Sequence, residues 1–205
     1  MYDEYEPVGR SRFGHAQPRI EAVHMDLPAG LWERLDRLHA AAVLDQDISD
    51  LFLARLFPGE PVRIACDLLV AGIETPTVIA LACESPTRLT LHEGRPLVRR
   101  LLSDLALDPM NIHRAGWITA RDLALQIEAG TLKAEDGGHL LLGLWHPCQE
   151  PDEMRPLLGT LDAWEETPPQ HRNREQFSLA MRRLSRAVIQ ATPAQPRPRQ
   201  RPTEG

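Results

Sequence analysis

The chain of 205 residues has few aromatic residues, three cysteines and a single lysine. Because aromatic residues make up only 5% of it, leucine, alanine and valine must build most of any core. The cysteines are odd in number and far apart, and no Cys-x-x-Cys occurs, which argues against a disulfide or thiolate–metal framework. Cys66 and Cys83 lie among apolar residues and are interpreted as small core fillers.

Several sequence signatures of function are also missing. The chain contains no Walker loop, Gly-rich dinucleotide turn, Gly-x-Ser-x-Gly, kinase signature or His-Glu-x-x-His. No apolar run approaches the length of a membrane span, and the acidic first residues resemble neither a signal nor a transit peptide. We therefore expect a cytoplasmic protein that is not an enzyme and holds no cofactor or metal.

What the chain does have is the pattern of helices joined by short turns. In residues 64–76 and again in residues 120–135, an amphipathic helix ends in Ala-Gly, turns and starts another helix. No alternating strand pattern competes with this. The sequence predicts an all-α fold, a compact bundle of about nine helices or a short solenoid-like stack.

Composition divides the chain into three parts. Residues 1–19 are polar and aperiodic, and we interpret them as a disordered arm. Residues 20–191 form the predicted single helical domain. Residues 192–205 alternate proline with polar residues and predict an extended, disordered Pro/Arg-rich tail.

Local signals predict several helix boundaries. Gly72 and Gly130 are predicted C-terminal residues in the left-handed conformation. The predicted N-terminal caps are Thr75 before Pro76, Thr119 with Asp122, and Thr167 before Pro168.

An acidic stretch at residues 45–50 superficially resembles a calcium loop. It lacks the glycine at the sixth position, and its twelfth position is Leu56 rather than a bidentate glutamate. We interpret Asp45, Asp47 and Asp50 as caps for a helix over residues 48–57, with Leu51 among its inward residues.

Charge is distributed unevenly along the chain. Residues 170–205 carry eight arginines against Glu175 and Glu204, about +6, so the remainder carries about −12 of the total of −6. This separation of charge suits an anionic partner at the basic C-terminal region and a cationic partner at the acidic remainder. The alternative is that arginine simply solvates a terminal helix and tail.

Residues 64–83, 94–107 and 120–145 together resemble a group of small all-helical bacterial proteins from high-GC genomes. The shared pattern is a helix ending in Ala-Gly, a helix capped near Thr-Pro, a Leu-rich helix, and a helix ending in Gly before a short one. The chain departs from that pattern at Lys133-Ala-Glu-Asp-Gly137, where only the glycine matches clearly. The resemblance implies a protein that binds another protein, as an immunity-type or accessory factor, with no catalytic residue.

His139, His146 and Cys148 are the residues that could carry chemistry, with Glu150 close by. The two histidines are two helical turns apart and can share a helix face, yet no fourth ligand has diagnostic spacing. Cys148 or Cys66 as a nucleophile would need a positioned base. His146 is the candidate base for Cys148, although residues so close in sequence rarely form catalytic dyads. The alternative interpretation is a histidine at a helix end and a partly buried cysteine.

Candidate interaction residues lie in two places. Trp117 precedes a predicted helix among small and polar residues, as an exposed anchor or as a hydrophobic staple. The arginines that could bind an anionic partner are Arg182, Arg183, Arg186, Arg197, Arg199 and Arg201.

The leading hypothesis is a non-enzymatic protein-binding module of the immunity, adaptor or accessory type, whose acidic body covers a basic surface of a partner protein. The first alternative is a nucleic-acid-associated factor acting through the Arg-rich C-terminus, although a single lysine and a tail without aromatics argue against it. The second alternative is an enzyme or metal protein around His139, His146 and Cys148.

Overall fold

The computed structural model describes residues 27–193, and these fold into α-helices with no β-strand among them. The predicted all-α class is confirmed. The predicted arm at residues 1–19 and the tail beyond residue 193 lie outside the described residues. The helices are α1 (Ala29–Asp47), α2 (Leu51–Ala54), α3 (Gly59–Val70), α4 (Pro76–Ala82), α5 (Leu91–Asp104), α6 (Ile112–Ala129), α7 (Ala134–Gly143), α8 (Pro156–Glu166) and α9 (Arg174–Ala191).

Helix α6 lies at the centre of the fold. It packs against α1, against α9 and against α7, while α3 and α4 pack on each other beside α1 and α5. In a solenoid each unit contacts only its neighbours in sequence, but α1 packs on α6 across the whole first half of the chain. The fold of the described residues is therefore a bundle. Its fully buried side chains are mostly leucines, as the scarcity of aromatics predicts.

Both predicted helix-ending glycines are confirmed. Gly72 has a φ of +81° and Gly130 a φ of +74°, in the left-handed region where a side chain is strained. The predicted cap at Thr75 is also confirmed, because its side chain accepts a hydrogen bond from the Val78 N–H at 3.2 Å. These features depend only on residues within one or two helical turns.

The predicted cap at Thr119 with Asp122 is wrong, because α6 begins seven residues earlier at Ile112. The cap is Asn111, whose side-chain oxygen accepts a hydrogen bond from the Arg114 N–H at 2.8 Å. Asparagine caps at least as well as threonine, so the earlier start satisfies the helix end and lengthens the buried face.

The predicted cap at Thr167 is wrong as well. A 3-10 turn at Pro169–His171 intervenes, and α9 begins at Arg174 with Asn173 as its cap. The Thr167 hydroxyl instead donates to the Ala163 carbonyl at 2.6 Å and so closes the end of α8.

Asp45 and Asp47 are not the predicted caps, because they lie in the last turn of α1. Asp50 stands directly before α2, but its side chain makes no capping hydrogen bond and lies 3.2 Å from Arg95 instead. The Asp45 side chain is only 1% exposed and lies 2.9 Å from Arg95 and 3.1 Å from Arg99 on α5. Two guanidinium groups compensate the burial of this carboxylate, so it joins two helices rather than starting one.

Two predictions of burial also fail. Leu51, expected to face inward, is 57% exposed, while its neighbours Phe52 and Leu53 are buried. Cys66 and Cys83, interpreted as core fillers, are both exposed. Cys66 lies on the exposed side of α3, and Cys83 lies directly after α4, where the chain is also exposed.

Candidate interaction surfaces

The acidic charge of the body is concentrated in α7, α8 and their connection. Residues 134–167, here called the acidic segment, contain eight acids and one arginine. All eight acids are exposed: Glu135, Asp136, Glu150, Asp152, Glu153, Asp162, Glu165 and Glu166. The single arginine, Arg155, lies 2.9 Å from Asp152, so most of the negative charge faces solvent without a cation.

The acids of α1, α3 and α6 are in a different situation. Glu60 accepts hydrogen bonds from Arg34 at 2.7 Å and from Arg63 at 3.2 Å. Asp122 accepts one from Arg37 at 2.9 Å, and Asp67 pairs with Arg34. Residues 27–133 carry fourteen acids against ten arginines and one lysine, a net charge of about −3, whereas the acidic segment carries about −7. The acidic segment is therefore the most negative part of residues 27–193.

Helix α9 carries the opposite charge beside α7 and α8. Arg182, Arg183 and Arg186 are all exposed, and Arg186 lies 2.6 Å from Glu128 on α6. Arg182 and Arg183 form no ion pair within residues 27–193. The other predicted anion-binding arginines, Arg197, Arg199 and Arg201, lie outside the described residues.

Arg172 belongs to the fold rather than to this basic surface. Its Nε donates to the Thr167 carbonyl at 2.8 Å, and its guanidinium lies 5.1 Å from the centre of the Trp164 ring. Trp164 in turn stacks on Phe177 with ring centres 4.4 Å apart. This stack fixes the connection between α8 and α9.

Trp117 is not the exposed anchor that the sequence suggested as one interpretation. It is only 8% exposed and belongs to the buried core. Because α6 begins at Ile112, the residue lies inside the helix on its inward face rather than ahead of the first turn. The staple alternative fails for the same reason.

The structure does not bring His139, His146 and Cys148 together with a shared partner. His139 on α7 lies 3.3 Å from Glu165 on α8, whereas the His146 Nδ1 lies 2.8 Å from Glu150. Cys148 is buried, and burial raises the pKa of its thiol to about 12, which keeps it protonated and poorly nucleophilic. Within residues 27–193, no three histidine, cysteine or acidic side chains are placed to hold a metal ion.

One polar cluster that sequence patterns did not reveal lies where α1 meets the start of α6. It contains Asp36, His39 and Arg114, and the Asp36 and Arg114 charged atoms are 3.7 Å apart. Burial lowers the pKa of His39, and the nearby Asp36 carboxylate only partly offsets this. Burial also raises the pKa of Asp36, against the effect of the Arg114 charge.

We expect His39 to make the fold less stable as the pH falls below about 6.5, the ordinary histidine pKa. Below that pH the unfolded chain binds a proton at His39 that the folded chain, with its lower pKa, does not yet bind. Protonation therefore favours unfolding, and the free energy of unfolding falls as the pH drops from the unfolded pKa toward the folded pKa. Urea unfolding at pH 7.5 and 5.5 should show a larger loss of stability for the wild type than for His39→Gln. Equal losses would contradict the assignment.

A second cluster of long-range ion pairs opens onto a groove. Gln126 donates to Asp122 at 2.6 Å and accepts from Arg55 at 3.0 Å, which extends the Arg37–Asp122 pair to the surface. Burial alone would raise the pKa of Glu60, but hydrogen bonds and charge from Arg34 and Arg63 hold it below its usual range. Since many of these partners lie 26 to 85 residues apart, no local pattern could have paired them.

No helix in residues 27–193 has the length and apolar character needed to cross a membrane. Comparison of the chain with known protein families, curated proteins and solved structures gives no match.

Proposed function

We propose that the protein is a non-enzymatic protein-binding module, with an accessory or immunity-type role, whose acidic segment docks on a basic surface of a partner protein. The observation that carries this proposal is the set of eight exposed acids in residues 134–167 against one arginine. Most of these acids have no arginine beside them, whereas most acids of α1, α3 and α6 are in ion pairs with arginine. Such a surface attracts a cationic partner and disfavours an anionic one.

The helices under these acids are well fixed. Leu141 on α7 and Leu157 and Leu161 on α8 are buried, and α9 packs against both helices. The charged side chains therefore project from a rigid base, which lowers the conformational entropy that binding must remove. Exposed charge contacts of this kind speed association and weaken as salt increases.

The test is affinity capture from a lysate of the cells that encode the protein, with two matched quadruple variants. The acidic-segment variant is Asp136→Asn, Glu153→Gln, Asp162→Asn and Glu166→Gln. The control variant is Glu33→Gln, Asp47→Asn, Glu84→Gln and Asp108→Asn. Both remove two aspartates and two glutamates that are exposed and have no ion pair within the described residues.

We expect the wild type and the control variant to enrich the same protein. The acidic-segment variant should retain at least about tenfold less of that protein. Equal retention by both variants would show that the negative charge of the acidic segment does not hold the partner.

Nucleic-acid binding through the C-terminus stays the alternative, because Arg182 and Arg183 are exposed and form no ion pair in the described part of the chain. Its test is the anisotropy of labelled single-stranded and double-stranded oligonucleotides. Arg182→Gln with Arg183→Gln, and removal of residues 194–205, should each weaken binding and flatten its salt dependence. Arg100→Gln with Arg121→Gln is the matched control, since these arginines are exposed elsewhere.

A further inference from the structure

An open groove of about 520 Å³ runs between the junction of α2 with α3, the middle of α6 and the loop that precedes α5. A ligand pocket in a protein commonly has a volume of roughly 300–1,000 Å³. None of the groove's lining residues belongs to the acidic segment, and several of them form the long-range ion pairs described above. Its polar lining residues are Arg37, Arg55, Arg63, Glu60, Thr87, Asp122 and Gln126.

The two carboxylates of the groove are already engaged. One oxygen of Glu60 accepts from Arg34 and the other from Arg63, while the oxygens of Asp122 accept from Arg37 and from Gln126. Neither carboxylate makes a hydrogen bond to Arg55. The three arginines of the lining therefore exceed its two acids by one positive charge, located at Arg55.

Arg55 is exposed, and its one hydrogen bond within residues 27–193 is the 3.0 Å contact with the neutral Gln126 amide. That contact orients the guanidinium without neutralising it. A guanidinium has five N–H donors, so most of those of Arg55 remain available to a ligand. Arg63 also lines the groove: its side chain is 64% exposed and uses Nε and Nη2 on Glu60, which leaves Nη1 free of hydrogen bonds in the described residues.

The groove also has an apolar wall. Phe57, Pro58 and Pro86 line it together with Leu56, and Phe57 is partly buried against the core. A bare ion would contact only the arginines. A ligand with a flat or apolar body beside its charged group would contact both kinds of surface.

We propose that this groove binds a small organic oxyanion, with Arg55 and Arg63 holding its phosphate or carboxylate group and Phe57 and Pro86 contacting its apolar body. The planar guanidinium fork donates paired hydrogen bonds to either group. The groove site and the acidic segment do not share residues, so each can fail without the other.

The test is an NMR titration of the full chain with three probes: phenyl phosphate, benzoate and inorganic phosphate. We expect phenyl phosphate or benzoate to shift the Nε–Hε signals of Arg55 and Arg63 saturably, and more tightly than inorganic phosphate does. The stronger of the two organic probes identifies whether phosphate or carboxylate is preferred. Arg55→Gln should weaken binding about tenfold or more, since a hydrogen bond to a charged group contributes about 1.5–3 kcal/mol.

Two controls separate this site from general attraction of anions. Arg100→Gln removes an exposed arginine on α5 outside the groove and should leave the affinity unchanged. Thr87→Glu places a carboxylate in the lining and should weaken binding, whereas Ser103→Glu adds the same charge on α5 away from the groove and should not. The absence of any saturable shift in the millimolar range, or equal losses from Arg55→Gln and Arg100→Gln, would overturn the proposal.

Discussion

Replacing Trp117 by alanine is expected to lower the free energy of unfolding by about 3–5 kcal/mol, the cost of removing a large aromatic side chain from a core. The side chain is buried in α6, the helix that packs against α1, α7 and α9. Its loss leaves a cavity that the surrounding leucines and alanines can fill only by moving, because a packed interior relaxes incompletely. Urea unfolding followed by circular dichroism measures the change.

The matched control for Trp117 is on the same helix. Leu125 is 45% exposed, and Leu125→Ala should change the free energy of unfolding by about 1 kcal/mol or less. If Trp117→Ala instead kept full stability and lost partner binding, Trp117 would be an anchor, and the position of α6 described here would be wrong.

Replacing Gly94 by alanine is expected to lower the free energy of unfolding by about 1–3 kcal/mol, the usual cost of overpacking a core. Within a helix, alanine ordinarily adds about 0.5–1 kcal/mol of stability over glycine. Here the sign reverses, because a Cβ on Gly94 would lie 2.1 Å and 2.6 Å from two ring carbons of Phe57. The Phe57 ring must move, and since Phe57 lines the groove, the substitution should also weaken organic anion binding.

Gly159 on α8 is the control for this prediction. A Cβ there meets no atom within 4 Å, so Gly159→Ala should keep or raise stability. Chemical denaturation of both variants against the wild type measures the difference between the two sites. Equal gains at both positions would show that α5 and the Phe57 ring are not in close contact.

Features that depend on neighbouring residues were predictable from sequence. Gly72 and Gly130 end helices in the left-handed conformation, and Thr75 caps α4, because each contact spans only a few residues. The predicted caps at Thr119 and Thr167 were wrong, because Asn111 and Asn173 supply the caps of these helices instead. A cap residue shows that a helix can start there, but tertiary packing selects among several candidates.

Features that depend on distant residues were not predictable. Asp45 has the composition of a cap, yet its carboxylate is buried by Arg95 and Arg99, which lie fifty or more residues later. Trp117 was predicted to lie before a helix, but α6 begins at Ile112 rather than after Thr119, which places Trp117 inside the helix and in the core. The groove combines Arg55 and Arg63 with Gln126, which lies 71 residues after Arg55, so no local sequence motif predicts it.

The distribution of charge was predictable from sequence only in part. Counting residues revealed an acidic body and a basic C-terminal region. The structure adds that most acids of α1, α3 and α6 are in ion pairs with arginine, whereas the acidic segment combines eight exposed acids with a single arginine. That placement turns a statement about composition into a proposed binding surface.

The central claim is that the acidic segment binds a basic partner surface. The measurement that tests it most directly is the dissociation constant of the captured, purified partner for the wild type, the acidic-segment variant and the control variant, at low and at raised ionic strength. The account predicts tight, salt-sensitive binding for the wild type and control, with weaker and less salt-sensitive binding for the acidic-segment variant. Equal dissociation constants for all three proteins, unchanged by salt, would contradict it.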